Sequence, residues 1–364
     1  MVLVTNQQFA PAVRCSTMAD EYAHFRSPAE LEAGVKIWQI LSPFLLVFGT
    51  FGNVISILVL SKSQFNNWSS TVYLLGLAVA DIFMLYIGLL RQWVKYTFDL
   101  DIRHTSSIVC KAHWFLMYVT ADCAVWILTT ITIERVVSTL YPYRSKRVCT
   151  KKVAKIMLVV IAATALLING HLLFGFGRIE KHIGNKTTIS CSPLTDAYAQ
   201  FFGKIWTWID LCKFSLIPFV ILSSGNACIM YRLVVSRRKL KGDATVTLKR
   251  YKKTSNMSVL LVALNCMFIL FTLPVSIYFI GEPYWVPRDI PRKVQLDDPW
   301  WAVVNILMYI NNSVNFILYC ASGSRFRNHV KKLLWFRQSK VSPSMMTSHA
   351  IGPVTNRHST GLHM

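Results

Sequence analysis

Ionisable side chains stand inside or at the edge of stretches that are otherwise apolar, among them Asp81, Asp122, Glu134, Arg135, Asp210 and Lys213. The sharpest case is "ILTTITIERVVSTLYPY", residues 127–143, where Glu134 and Arg135 are adjacent with no other charge nearby. A charge near hydrocarbon costs on the order of 2.5–3.5 kcal/mol even on lenient insertion scales, so such residues mark ion paths, ligand counter-ions or switches. Neighbouring helical residues do not face each other, so Glu134 and Arg135 cannot simply neutralise one another. Arg135 is able to exchange one set of partners for another; the bland alternative is an arginine snorkelling to lipid phosphate. Asp81 and Asp122 supply the two carboxylates of an intramembrane aspartyl protease, but no Gly-Asp motif accompanies them. Phosphate-binding loops, nucleophile elbows and metal signatures are missing too. The chemistry on offer is binding and switching, and the chain is not read as an enzyme.

The elements that must position these groups follow from composition. The 364 residues are 53% hydrophobic and 15% charged, yet the net charge is +22. A soluble domain carries about a quarter charged residues, so the charges here must be segregated along the chain. Long apolar runs recur at Ile37–Leu60, Ser70–Leu90, Val153–Phe176, Phe214–Tyr231 and Met257–Ile280. Several approach the roughly 20 residues that span about 30 Å of hydrocarbon. Two further stretches, Ile108–Val137 and Trp300–Cys320, are apolar but dotted with polar residues. Buried helices of soluble proteins show apolar segments of about 10–14 residues, so five longer runs argue for seven membrane spans. Residues 1–36 have no continuous hydrophobic core before a cleavage site, and the first span acts as its own signal. With alternating loops, one side and one terminus hold 22 basic residues against a single acid, Asp243; the other holds 13 basic and 12 acidic. The positive-inside rule places the first set in the cytoplasm and the N-terminus outside. The +22 is therefore a basic cytoplasmic face and not a nucleic-acid surface.

Of nine cysteines, Cys123, Cys149, Cys212, Cys228, Cys266 and Cys320 fall in spans or cytoplasmic parts, where thiols stay reduced. Outside are Cys15, Cys110 at the top of span three, and Cys191 in the loop between spans four and five. Cys110 and Cys191 are natural disulfide partners and Cys15 is left odd. No C-x-x-C or Cys/His spacing suggests a metal site. Of the N-x-S/T sequons at Asn67, Asn185, Asn256 and Asn311, only Asn185 lies outside, available for glycosylation.

Read together, "GTFGNVISILVL" with Asn53, "LAVAD" with Asp81, Cys110 a helix length before "ER" at 134–135, and Pro142 in "YPYR" form the first half of a pattern. "SLIPF" with Pro218, "MFILFTLP" with Phe268, Phe271 and Pro274, and "NFILY" with Asn315 and Tyr319 complete it, followed by the basic amphipathic "SGSRFRNHVKKLLWF". This order and spacing resembles the rhodopsin-like (class A) G-protein-coupled receptors over about residues 37–337. In motif style it is most similar to invertebrate neuropeptide receptors, including those for FMRFamide-like peptides. The resemblance implies an all-α membrane protein: an extracellular N-terminus (1–36), a seven-transmembrane helix bundle (37–320), a short amphipathic eighth helix (321–336) and a disordered cytoplasmic tail (337–364). It also implies that Arg135, at the cytoplasmic end of span three, is the switch that contacts a heterotrimeric G protein. Glu134, Pro142, Phe268, Pro274, Asn315 and Tyr319 belong to the same switch and coupling machinery.

Asp81 lies mid-span with Asn53, Asn311, Asn312 and Asn315 as expected neighbours, and the family places sodium at the equivalent residues. Carboxylate and amide oxygens suit a small hard cation, but Ala124 stands where a hydroxyl is common. A hydrogen-bonded polar core without an ion is the equal alternative, and no other cofactor is implied. Other departures are Thr272 for the usual span-six tryptophan, Phe316 for the usual proline after Asn315, and Asn226 for a common tyrosine. At the base of span six "KRYKKT" offers Arg135 no carboxylate, which predicts weak restraint and some ligand-independent signalling.

Met117 occupies the position where amine receptors carry aspartate, so a monoamine ligand is not expected, and the lysine-free seventh span cannot form a retinal Schiff base. The mouth then consists of Arg91, Gln92, Lys95, His113, Met117, Tyr118, Asp122, Asp210, Lys213, Tyr278, Glu282, Asn305 and Tyr309, whose mixed charge and aromatics suit a peptide. Asp122, Asp210 and Lys213 are the leading ligand contacts, against an internal Asp210–Lys213 pair one turn apart. Asp122 or Glu282 is a carboxylate suited to the arginine of an Arg-Phe-amide peptide. Trp93, Trp206, Trp208, Trp285, Trp300 and Trp301 read as interfacial anchors. On the cytoplasmic side, the basic loop 232–253 attracts anionic lipid or a G protein. The tail carries Ser339, Ser342, Ser344, Thr347, Ser348, Thr355, Ser359 and Thr360 as sites for a receptor kinase and then arrestin. A non-signalling heptahelical binding protein and a membrane transporter are the alternatives; the latter would show paired repeats, which the halves do not.

Overall fold

The structure, a computed structural model, describes residues 25–62, 68–183, 186–239, 245–286, 290, 292–322 and 324–335. Among them are seven helices long and apolar enough to cross a membrane: α1 Pro28–Leu60, α2 Ser69–Phe98, α3 Ser107–Leu140, α4 Lys151–Gly175, α5 Asp196–Ser236, α6 Ser258–Glu282 and α7 Pro299–Ser322. A final helix, α8, covers Ser324–Trp335.

The helix ends follow local chemistry. The Ser27 hydroxyl accepts from the Glu30 amide, the Glu30 carboxylate accepts from the Ser27 amide, and Pro28 opens the first turn. That reciprocal cap starts α1 well before residue 37, where apolar content alone put the first span. Ser106, Thr150 and Thr195 cap α3, α4 and α5 in the same way, each hydroxyl accepting from an amide three residues on. α2 ends at Asp99, whose φ of 53° is left-handed and which an aspartate tolerates. Because α7 runs on to Ser322, the amphipathic helix begins at Ser324 and not at 321. The Arg327 guanidinium donates to the Cys320 and Ala321 carbonyls at 2.7 and 3.0 Å, which satisfies the end of α7.

Large apolar side chains such as Phe44, Val47 and Leu167 are 71%, 73% and 82% exposed, while Asp81, Asn53 and Asn265 are buried. Apolar outside and polar inside is the distribution for a lipid solvent. Phe316 fits where a proline is common because Gly52 of α1 makes room: a Cβ on Gly52 would lie 2.8 Å from that of Phe316. Phe316 then packs edge-on against Phe51 and against Phe326 of α8.

Two strands, β1 Phe176–Ile183 and β2 Lys186–Pro193, form an antiparallel hairpin between α4 and α5. The Cys110–Cys191 disulfide, with 5.6 Å between Cα atoms, pins β2 to the first turn of α3. On the same side α1 leans on the short helix Arg292–Asp297. Gly34 makes this contact, because a Cβ there would overlap the Asp297 carbonyl oxygen, which is backbone and cannot rotate away. Gly34→Ala is expected to cost about 1–3 kcal/mol of overpacking and to lower the unfolding temperature of the detergent-solubilised chain by about 2–6 °C. An unchanged unfolding temperature would show that the two segments do not meet in solution.

Candidate functional site

Along α5, π-helical stretches at Phe201–Trp206 and Cys212–Leu216 bracket Asp210. Widened turns of this kind are frequent at functional positions because they re-aim side chains. Here they bring Asp210 and Lys213 inward to meet Asp122 of α3. The Lys213 ammonium donates to both Asp122 oxygens at 2.7 and 2.6 Å and reaches Asp210 Oδ1 at 2.7 Å. The pair expected within α5 therefore forms, but Asp122 is its third member. Asn169 of α4, which the sequence reading passed over, donates its amide to Asp122 Oδ2 at 2.7 Å.

The rings of Tyr118 and Trp206 lie 5.6 and 5.3 Å from the Lys213 nitrogen, within cation–π range. Around them Trp114 stacks on Phe176 at 4.7 Å, with Phe202 edge-on to both. The hairpin, the disulfide and the outer part of α5 thus share one aromatic core with Cys110. Trp206 and Trp301 are 4% and 2% exposed, which corrects their reading as interfacial anchors, whereas Trp208, Trp285 and Trp300 are exposed.

The remaining mouth residues separate into two further groups. Tyr278 and Tyr309 are buried with Trp38 and Trp301 in a core that joins α1, α2, α6 and α7, and Met117 packs against it. Asn305 donates to the Trp301 carbonyl inside its own helix at 2.8 Å, and Glu282 is buried at the end of α6. Arg91 forms a two-bond pair with Asp101 at 3.0 and 2.6 Å and also donates to Gln92 Oε1. His113 Nε2 contacts the Ile87 carbonyl at 3.0 Å, within the π-helical stretch Leu85–Leu89 of α2. Lys95 lies over the Tyr96 ring. Asp101 and its second partner, Arg103, carry no motif and were missed; both fall in the short segment between α2 and α3.

Midway through the bundle, the Asn312 and Asn315 amides donate to the two Asp81 oxygens at 2.8 and 2.7 Å, and Asn53 donates to the Asn312 carbonyl at 2.9 Å. A cavity beside Asp81 is lined by Ala124, Phe268, Thr272 and Asn311 among others. Pro274 lies within the same helix as Phe268, and the buried Tyr319 packs on Phe326 of α8.

Near the other end of α3, Glu134 accepts a hydrogen bond from the Ser69 hydroxyl of α2. Arg135 points elsewhere; it is 6% exposed, and its Nε has no hydrogen-bond partner among the described residues. One turn earlier, Asn265 of α6 donates to Asn226 Oδ1 of α5 at 2.7 Å and to Thr132 Oγ1 of α3 at 2.9 Å. This clasp joins three helices and gives Asn226 a role. Its only signal in the sequence is an asparagine inside the apolar run "LLVALNCMFIL". Pro142 opens the short helix Pro142–Val148 that follows α3. Asn185 and Cys15 lie outside the described residues.

Comparison with known proteins agrees with this architecture. The family model described as "7 transmembrane receptor (rhodopsin family)" matches residues 52–319. The chain is 25% identical over 327 residues to the growth hormone secretagogue receptor type 1 of Homo sapiens, covering 86% of this chain and 85% of that one. It is 24% identical over 326 residues to the FMRFamide receptor of Drosophila melanogaster, covering 86% and 57% of the two chains. Against galanin receptor 2a of Danio rerio the identity is 23% over 302 residues, 82% and 77% of the chains. Seven apolar helices, a hairpin bonded to the third of them, and a Glu-Arg pair at that helix's far end accordingly place this multi-pass membrane protein in the rhodopsin family of seven-transmembrane receptors.

Proposed function

We propose that the chain is a G-protein-coupled receptor for a peptide. Its N-terminus and hairpin face outward, and its basic segments and C-terminus face the cytoplasm. Arg135 supports this reading most directly: a cation buried at the end of α3, whose Nε has no partner among the described residues and which lies one turn from a hydrogen-bonded clasp, is poised to change partners. Separation of α6 from α3 would expose that donor to a carbonyl or carboxylate of the G protein. At the opposite end, buried carboxylates, an ammonium and aromatic rings offer acceptors, a donor and apolar walls, as a peptide requires. The relatives include receptors whose names refer to a peptide, FMRFamide and galanin among them.

The Asp81 group fits a polar core held by amide donors better than a resident sodium ion. Both carboxylate oxygens already accept from asparagine nitrogens, and Ala124 adds no oxygen. Asn185 is assigned as a glycan acceptor, and the serines and threonines of 337–364, outside the described residues, as substrates of a receptor kinase preceding arrestin.

The test is a panel of amidated neuropeptides applied to cells expressing the chain, with calcium and cyclic-AMP readouts. At least one peptide is expected to signal through the wild type. Arg135→Ala, at equal surface expression and with equal binding of that peptide, is expected to lose at least tenfold of the response. A silent panel, or an undiminished response in Arg135→Ala, overturns the reading.

A further inference from the structure

Charge balance at the α3–α5 site identifies the kind of group its ligand must carry. Asp122 and Asp210 are 4% and 3% exposed, and Lys213 is the one cation paired with them among the described residues. Among the described residues, two carboxylates thus face one ammonium inside the bundle, where an uncompensated charge is costly. The carboxylates are not equivalent. Asp122 accepts two bonds from Lys213 and one from Asn169, while among the described residues Asp210 accepts from Lys213 alone. An ionised carboxylate has room for about four donors, so Asp210 is the under-filled one.

Two further observations point to a ligand. Asn169 is fully buried and its amide nitrogen is used on Asp122, but its Oδ1 has no donor among the described residues. Trp206 is buried beside Lys213, and its indole N–H has no acceptor among the described residues. A group rich in N–H donors answers the first, and a carbonyl on the same molecule answers the second. The faces of Tyr118 and Trp206 already enclose a cation in Lys213, and they suit another of its kind.

We propose that Asp210 receives a cationic group of the ligand, a guanidinium or a primary ammonium, which completes the balance while Lys213 remains on Asp122. The proposal rests on the peptide-receptor reading and narrows it to peptides with an arginine, a lysine or a free N-terminus that enters this site. It also moves the acceptor from Asp122, which is filled, to Asp210.

The experiment uses the full chain in cells and the same peptide panel, with each active peptide made in neutralised forms: citrulline for arginine, acetyl-lysine for lysine, and an acetylated N-terminus. In the wild type one neutralised form is expected to lose at least tenfold in potency, and which form does so distinguishes guanidinium from ammonium. Asp210→Asn keeps the Lys213–Asp122 pair, so it is expected to reach the surface, and its potency is read as the ratio between the cationic and neutral forms. Its preference for the cationic form should fall to within about threefold, and Asp210→Glu should restore it. Equal potency of cationic and neutral forms in the wild type, or full preference retained by Asp210→Asn, overturns this proposal alone. A panel silent in every form overturns the peptide reading and this proposal with it.

Discussion

Asn265→Leu is expected to raise ligand-independent G-protein activation at least fivefold at equal surface expression. Asn265 is fully buried; its amide nitrogen donates to Asn226 of α5 and to Thr132 of α3, and its Oδ1 lies 3.2 Å from the Thr132 hydroxyl. Leucine keeps nearly the same shape, so what is lost is the hydrogen bonding. Neutral bonds of this kind contribute about 0.5–1.5 kcal/mol each, or about 1–3 kcal/mol for two. Removing that from one side of a two-state equilibrium shifts it by about 5–150-fold, enough to lift an active state of about 1% to a measurable fraction. The effect is specific to the arrangement drawn here, in which the clasp holds α6 close to α3 and Arg135 is covered. Thr132→Val removes one of the same bonds and should raise activity in the same direction. The double variant should add little to Asn265→Leu, because the two residues share one interaction. Basal activity at the wild-type level in Asn265→Leu would mean that the clasp persists, or breaks at equal cost, in both states.

The clasp also shows where sequence reading stops. The seven spans were legible because lipid demands long apolar runs, and the clustering of arginines and lysines on alternate connections can be counted from the sequence directly. Cys110 and Cys191 could be paired because the expected topology put few thiols on their side of the bundle. Each of these constraints is local or can be counted. Asn226 and Asn265 lie 39 residues apart on different helices, so the departure at Asn226 looked like a loss of family character until its partner was placed. The absence of a carboxylate in "KRYKKT" predicts weak restraint and some ligand-independent signalling; the hydrogen bonds that join α6 to α3 and α5 one turn from Arg135 carry no such signature in the sequence.

The outer site divides in the same way. Asp210 and Lys213 could be paired from their spacing of one helical turn, but Asp122 and Asn169 join them only through the packing of α3, α4 and α5. Trp206 and Trp301 near span ends read as anchors because tryptophan suits an interface. They are buried because Tyr118 and His171 pack on Trp206, and Tyr278 and Phe279 on Trp301, and no property of either residue announces that. The start of α1 was the converse case: the signal "SPAE" was present, with Ser27, Pro28 and Glu30 at capping positions. A search for apolar length passes over such a signal.

Asp101→Asn is expected to be the most destabilising conservative change outside the spans, at about 3–5 kcal/mol, because it removes the carboxylate from a buried ion pair and leaves the cation. Asp101 and Arg91 are 7% and 8% exposed, and their two bonds are 3.0 and 2.6 Å. Arg103 shares the carboxylate at 3.1 and 2.7 Å and stands over the Trp114 ring, so the group ties the α2–α3 segment to the aromatic core beneath the hairpin. Asparagine can still accept from the Arg103 backbone amide, as Asp101 does at 3.1 Å. The change therefore isolates the charge, and Arg91 loses its one carboxylate among the described residues. The expected readout is a fall of about 5–10 °C in the unfolding temperature of the detergent-solubilised chain. Arg91→Met in the same background should recover part of it, since a buried cation without a partner costs more than none. The pH dependence gives a second check. Burial pushes the Asp101 carboxyl up, but Arg91 and Arg103 outweigh it and hold the group well below the usual carboxylate range. A group whose folded pKa is depressed contributes its stability above its unfolded value, about 3.9 for aspartate, and loses it only as pH falls toward the folded value. The difference between wild type and Asp101→Asn should accordingly stay constant from about pH 8 to 5 and shrink only below about pH 4. A difference that already declines between pH 7 and 5 would show that the group responsible is not this carboxylate, with His104 as the neighbour to examine.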